Sequence, residues 1–263
     1  MNILEEIAEK TRERIEKEKQ NKPLVQLKKE ALALNPDTGF PFEKAVKEGS
    51  LSFICEVKKA SPSKGLIAKD FPYINIAKEY ELGGASAVSV LTEPFYFMGA
   101  DKYLKEIKKE ISLPVIRKDF TIDEYMIYQA KVLGADAVLL ICAILDDDRL
   151  KQFLDIADSL GLSALTEAHD EKEVVRAINA GARMIGVNNR DLKTFNVDIN
   201  NSIRLRALVP EHIIFVSESG IRGKEDIARL AANGTDGVLI GETIMRAGNG
   251  RVHALKELMA QAG

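Results

Sequence analysis

Glu56 and Lys58 stand two residues apart in one apolar run, and Lys118, Glu167 and Glu218 each close another such run. A period of two puts Glu56 and Lys58 on one face of an extended segment, and Leu165 with Glu167 on one face of another. If these faces point inward at the same end of a sheet, ammonium and carboxylate groups converge. That is the equipment of general acid–base catalysis: a cation to neutralise or protonate an oxygen, and a carboxylate to remove a proton. Asn188 and Ser219 add an amide and a hydroxyl at comparable places. Taken singly, each residue reads equally well as the polar tip of a strand entering solvent; several together weaken that reading. Two glycine turns, Ser217-Glu218-Ser219-Gly220 and Ile240-Gly241-Glu242, each fall beside a candidate helix start. Glycine allows close backbone approach, and the free N–H groups of a helix N-terminus attract an anion, so a phosphorylated small molecule is the expected substrate.

The elements that must position these groups follow from a repeat. Four segments begin with Gly84, Gly134, Gly181 and Gly234, separated by 50, 47 and 53 residues, and each runs into a β-rich apolar stretch. Each glycine ends an amphipathic segment, which suits a left-handed cap that closes a helix just before a strand. Between them lie four more apolar runs, Phe53 to Val57, Pro114 to Lys118, Ser163 to Glu167 and Ile213 to Ser217. Helical spacing over Ile74 to Leu82, Tyr103 to Ile111, Leu150 to Leu160 and Ile227 to Ala232 separates the strands. Strict alternation, with strands apolar on both faces, predicts an α/β fold of eight parallel strands closed into a (β/α)8 TIM barrel. Catalytic groups of such barrels project from the C-terminal strand ends, where Glu56, Lys58, Lys118, Glu167, Asn188, Glu218 and Gly241 would meet around one mouth. Residues 1–50 read as an N-terminal helical extension packed on a barrel of residues 51–263, together one domain. Leu4, Ile7, Ala8 and Ile15 mark one buried face, and Leu24, Leu27 and Ala31 another. The pattern leaves open whether they plug the bottom of the barrel or cover its mouth.

Composition narrows the function classes. The 263 residues are 46% hydrophobic and 29% charged, enough for one large core. A net charge of −3 gives no general pull toward nucleic acid or an anionic membrane, and no run reaches membrane-spanning length. The charged start Met1-Asn2-Ile3-Leu4-Glu5-Glu6 lacks a secretory signal's apolar core, so a cytoplasmic protein is expected. Cys55 and Cys142 sit inside apolar stretches as expected free thiols, and His169, His212 and His253 have no metal-ligand spacing. No metal is expected. Asp146-Asp147-Asp148 reads as a helix start that complements the dipole. Arg190 is expected to organise its loop by pairing with Asp191 or Asp119.

Taken together, these segments resemble one family, indole-3-glycerol phosphate synthase. The resemblance is carried by Glu56 to Gly65, Ser89 to Glu93 with Tyr96-Phe97, Leu113 to Phe120, Glu167 to Asp170, Ile185 to Leu192 and Ser217 to Ile221. It implies closure of the indole ring of 1-(2-carboxyphenylamino)-1-deoxyribulose 5-phosphate with loss of carbon dioxide and water, in tryptophan biosynthesis, without metal or organic cofactor. By that likeness Lys118 is the general acid at the ketone oxygen and Glu167 assists the later proton removal. Glu56, Lys58, Asn188, Glu218 and Ser219 complete the catalytic ring. Lys58 either holds a substrate anion or donates the second proton. Lys58, Ser61, Ser63, Phe97, Phe120, Ser219, Gly220, Gly241 and Glu242 form the substrate and phosphate contacts, with Phe97 and Phe120 bordering an aromatic ring.

Three positions depart from the family's pattern: Thr166, Ser217 and the pair Gly241-Glu242. At Glu242 the phosphate contact falls to the backbone N–H, since the carboxylate would repel the ligand. A monomer is the expectation, with association with other tryptophan-pathway enzymes left open. Rival readings are a sugar-phosphate isomerase, an aldolase that uses Lys118 as a Schiff-base nucleophile, and a catalytically silent barrel retained for binding or assembly.

Overall fold

The computed structural model describes residues 3–191 and 194–261; Met1, Asn2 and the motif residue Leu192 lie outside these. Eight parallel strands close into a barrel: β1 (Ser52–Val57), β2 (Ala87–Leu91), β3 (Val115–Lys118), β4 (Ala137–Ile141), β5 (Ser163–Ala168), β6 (Met184–Asn188), β7 (Ile214–Glu218) and β8 (Gly237–Ile240), with β8 pairing back onto β1. Helices alternate with them, including α4 (Tyr73–Gly83), α5 (Asp101–Glu110), α6 (Glu124–Leu133), α7 (Asp147–Ser159), α8 (Glu171–Ala180), α9 (Asn200–Arg206), α10 (Lys224–Ala232), α11 (Glu242–Arg246) and α12 (Arg251–Met259). The predicted TIM barrel is therefore the observed fold.

The glycine repeat sets the helix-to-strand turns. Gly84, Gly134 and Gly181 cap their helices at φ 95°, 89° and 90°. The fourth differs by one position: Asn233 is the cap of α10, and Gly234 follows it at φ 72°. The closing bond is nevertheless shared. At all four sites the N–H after the glycine donates to the carbonyl five residues earlier, Ala85 to Tyr80, Ala135 to Ala130, Ala182 to Ala177 and Thr235 to Leu230. This is the Schellman closure, which needs a left-handed residue before its last donor.

Inside the barrel, alternate strands contribute alternate layers. Ile54, Ile116, Leu165 and Val216, from β1, β3, β5 and β7, form an apolar layer and belong to one buried cluster. Two residues further along the same four strands stand Glu56, Lys118, Glu167 and Glu218. The period of a strand thus turns one apolar layer into one charged layer directly above it.

Both placements left open for the extension occur, in different helices. Helix α3 (Pro41–Lys47) plugs the bottom: Phe42 and Val46 are fully buried against the interior cluster, and Ser52 donates to the carbonyls of Ala45 and Glu48. Helix α1 (Ile3–Asn21) lies at the mouth, where Leu4 and Ile7 join the same cluster beside Phe120 and Ile141. It is fastened by a two-pronged Arg14–Asp119 pair at 2.9 and 3.0 Å and by Tyr96 donating to Glu6 at 2.7 Å. Helix α2 (Leu24–Leu32) buries Leu27 and Ala31.

Truncating the plug should destabilise without touching the mouth. Phe42→Ala is expected to lower the free energy of unfolding by about 3–5 kcal/mol, read by denaturant titration. A loss below about 1 kcal/mol would mean that Phe42 is not part of the core.

Candidate active site

The charged layer is closed to solvent except through the mouth. Glu56, Lys118, Glu167 and Glu218 are all buried. Lys118 Nζ donates to Glu167 Oε2 at 3.0 Å and to Glu218 Oε2 at 2.8 Å. Lys58, one residue beyond β1 and in register with Glu56, donates to Glu56 Oε1 at 2.5 Å. Glycines on the intervening strands make the room. A Cβ at Gly186 of β6 would stand 2.1 Å from Glu218 Oε1, and one at Gly241, just past β8, 2.7 Å from Glu56 Oε1.

Three carboxylates around one ammonium separate the proton affinities. Burial disfavours the charge on Lys118, but Glu218, Glu167 and Glu56 outweigh it and hold the ammonium above the ordinary lysine range. Burial also works against an ionised Glu167; Lys118, His169 and a hydrogen bond from Asn188 override it and keep this carboxyl below its usual value. Glu218 goes the other way. Burial, reinforced by the charges of Glu167 and Glu56 and opposed by Lys118, pushes it up to about 7. Two carboxyls on one lysine are thus driven apart, one ionised and one able to hold a proton near neutrality.

At the far side of the mouth, β7 leaves through Ser219 and Gly220, both left-handed at φ 66° and 84°. A buried Asn189 holds this turn: its amide donates to Ser217 Oγ and to the Ser219 carbonyl, and its oxygen accepts from the N–H and Oγ of Ser202. Ser217 therefore adds a hydrogen bond where alanine could not. Gly220 itself is not at a helix start, because α10 begins only at Lys224; Gly241 directly caps α11. The Glu242 carboxylate is turned to Arg246 at 3.0 Å and Lys64 at 3.6 Å, and against the opposing effect of burial these cations hold it below its usual range.

These groups surround one cavity of about 720 Å³. All fourteen residues expected at the site line it: Glu56, Lys58, Ser61, Ser63, Phe97, Lys118, Phe120, Glu167, Asn188, Glu218, Ser219, Gly220, Gly241 and Glu242. Phe97 and Phe120 pack with ring centroids 6.2 Å apart. Buried Glu93 fixes the Phe97 loop by accepting the N–H groups of Phe95, Tyr96 and Phe97. Sequence reasoning misses Ile3, Leu4 and Ile7 as lining residues, along with the cations Lys64, Arg222 and Arg246; Arg190, expected at a strand end as a loop organiser, lines the cavity as well. Arg222 and Arg246 could have been found from their places beside the glycine turns; the helix could not.

Two smaller expectations resolve differently. Asp119 binds Arg14, Thr92 and Arg117, so it does not serve Arg190, whose guanidinium reaches the Phe195 carbonyl at 3.3 Å. Asp146 does cap a helix, accepting from the Arg149 N–H at the start of α7. Cys55 and Cys142 are buried free thiols. Among the described residues no helix is long and apolar enough to cross a membrane, and no three His, Cys, Asp or Glu side chains cluster as a metal site.

The profile of the family described as indole-3-glycerol phosphate synthase matches residues 4–258. The chain belongs to the indole-3-glycerol phosphate synthase family. Relatives carrying that name include one from Ruminiclostridium cellulolyticum, 62% identical over 94% of this chain and 95% of its own, and one from Lachnoclostridium phytofermentans, 52% identical over 98% and 100%. A likeness in fold alone reaches 3-hexulose-6-phosphate synthase from Salmonella typhimurium, at TM-score 0.67 and 15% identity over 81% of this chain and 98% of that one. As a member of the synthase family the protein is a lyase enzyme.

The raised Glu218 carboxyl makes a signed prediction for this synthase. Its folded value of about 7 exceeds the ordinary 4.5, so its contribution to stability is complete below 4.5 and is lost as pH rises through 7. Denaturant titrations across that window should find wild type losing stability relative to Glu218→Gln as pH increases. A difference that stays flat with pH would mean Glu218 is ionised throughout.

Proposed function

We propose that this enzyme converts 1-(2-carboxyphenylamino)-1-deoxyribulose 5-phosphate to indole-3-glycerol phosphate, with release of carbon dioxide and water, by general acid–base catalysis without a cofactor. The observation that carries the reading is the buried layer in which Lys118 is shared by Glu167 and Glu218 at 3.0 and 2.8 Å, opening onto a cavity bordered by Phe97 and Phe120 and by two glycine turns.

On this reading the phosphate rests at Ser219, Gly220 and Gly241, with Glu242 contributing backbone only, since its carboxylate is engaged by Arg246 and Lys64. The anilino ring lies toward Phe97 and Phe120. As the ring carbon attacks the ketone carbon, the carbonyl π electrons move to oxygen, and Lys118 delivers its proton there. The ketone is a weak base, but the alkoxide forming from it is a strong one, so an ammonium held protonated by carboxylates can still transfer. Carbon dioxide then leaves, its bonding electrons returning to the ring system. In the second half the new hydroxyl departs as water on accepting a proton, while Glu167 removes the proton that restores aromaticity. Lys58 is placed either to pair with a substrate anion or to supply that second proton. The Schiff-base reading is disfavoured, because it requires a neutral amine where three carboxylates favour the ammonium.

Residues 1–50 and 51–263 act as one domain, because α1 supplies Ile3, Leu4 and Ile7 to the mouth. One chain furnishes all fourteen site residues, so the site is complete without a partner, which supports a monomer acting on a phosphorylated small molecule; we read its place of action as the cytoplasm, where the named relatives' biosynthetic chemistry belongs.

The direct test is the rise of indole fluorescence when the carboxyphenylamino substrate meets the purified, chelator-treated protein; no rise sinks the reading. Lys118→Arg then separates two roles, since a guanidinium keeps the charge but effectively never gives up a proton. Both Lys118→Arg and Lys118→Ala are expected to lose about 10²-fold or more in kcat, with product binding preserved. An arginine variant within about tenfold of wild type, beside a dead alanine variant, would leave Lys118 only an electrostatic role.

A further inference from the structure

The two oxygens of Glu167 face different partners. Oε2 accepts from Lys118, while Oε1 lies 3.4 Å from Nε2 of His169, too poorly aligned to be a hydrogen bond. His169 does not line the cavity, and its ring is mostly buried. It is clamped from behind. Nδ1 lies 3.0 Å from Glu173 Oε2, and the same oxygen accepts the backbone N–H of His169 at 2.8 Å. Glu173 is fixed in turn by the start of α8, where Asp170 caps the helix by accepting the Glu173 N–H. The amide of Asn201, from α9, donates to the His169 carbonyl at 3.0 Å. A ring so held has one freedom left, the buried and unpartnered Nε2, and that atom faces Glu167.

We propose that His169 is a positioning residue for the reaction: braced by Glu173, it orients Oε1 of Glu167 and supplies the positive charge that this carboxylate meets on the side away from Lys118. The charged and titratable groups around the pair are Glu173 on α8, with Arg176 near it on the same helix, Lys118 on β3, Glu218 on β7 and the buried thiol of Cys142 just past β4, with the amide of Asn188 from β6 on Glu167. Burial works against a charged His169, but the hydrogen bond to Glu173 and the charges of Glu167, Glu173 and Glu218 prevail and raise its proton affinity. Glu167 thus sits between two cations of different reach. Lys118 can meet the substrate, whereas His169 can act only through Glu167.

This inference rests on Glu167 serving as the base, and its test separates the two ideas. His169→Ala and His169→Asn should lower kcat about tenfold or more while KM changes less than about threefold. Because removing a cation raises the Glu167 pKa, the acid limb of the kcat/KM profile should move to higher pH. His169→Gln, whose amide can reach the Nε2 position, should recover part of kcat. Wild-type kcat with an unmoved limb in all three variants overturns the proposal. A further readout needs no turnover: the ¹⁵N imidazole titration of His169 should fall to lower pH in Glu167→Gln. An unchanged titration overturns the coupling even if wild type proves to make no indole product, which would be the failure of the proposed function instead.

Discussion

Everything at the mouth depends on burying four charges in one layer of a barrel without leaving any of them alone. Moving an ion out of water costs on the order of several kcal/mol even after relaxation, and a carboxylate left unpaired is worse than a neutral residue of the same size. Lys118 is the common solution. It pairs with one oxygen of Glu167 and one of Glu218 at once, and Lys58 answers Glu56 separately. Burial first, and then the excess of acid over base in the layer, drives one carboxyl, Glu218, toward the protonated form. Removing the Lys118 charge would strand carboxylates in a dry site, so this residue bears on stability as well as on the proposed chemistry.

The scaffold supplies rigidity from three directions. The alternate strands β1, β3, β5 and β7 set the four groups at one level, and Gly186 on β6 and Gly241 just past β8 leave space for them. Below lies a layer of Ile54, Ile116, Leu165 and Val216, closed underneath by Phe42 and Val46 of α3. Above, α1 is pinned next to Lys118 through Arg14 and Asp119, the latter also held by Thr92 and Arg117. Asn189 and Glu93 do for the loops what the sheet does for the strands, each a buried polar side chain whose hydrogen bonds fix backbone at the cavity wall.

Much of this is legible in the sequence because it is periodic. Glycines about fifty residues apart mark the left-handed turns before strands, and parity along β1 and β5 puts Glu56, Lys58 and Glu167 where the barrel rule sends catalytic groups. The family likeness then gathers Ser61, Ser63, Phe97 and Phe120 at the same cavity. What resists reading is what depends on three dimensions at once. The apolar face of α1 is legible as a pattern, but its place at the mouth is not, and the short plug α3, which turns only Phe42 and Val46 inward, offers no stripe to read. Gly186 announces nothing until Glu218 is seen to occupy its missing side chain. Asp119 chose Arg14, 105 residues away, over the nearer Arg190 in the expected pairing. The turn at Gly220 stops short of its helix because Ser219 and Gly220 are spent on the left-handed bend itself.

The central claim is that the buried layer holds Lys118 as an ammonium beyond the range in which lysines ordinarily lose their proton. It can be read directly from the side-chain ¹⁵N resonance of Lys118 in the unliganded protein, assigned by its absence in Lys118→Arg and followed as pH is raised through 10.5. The account predicts that this resonance keeps its ammonium position while those of surface lysines titrate. A Lys118 that titrates with the surface lysines, or below them, would contradict it.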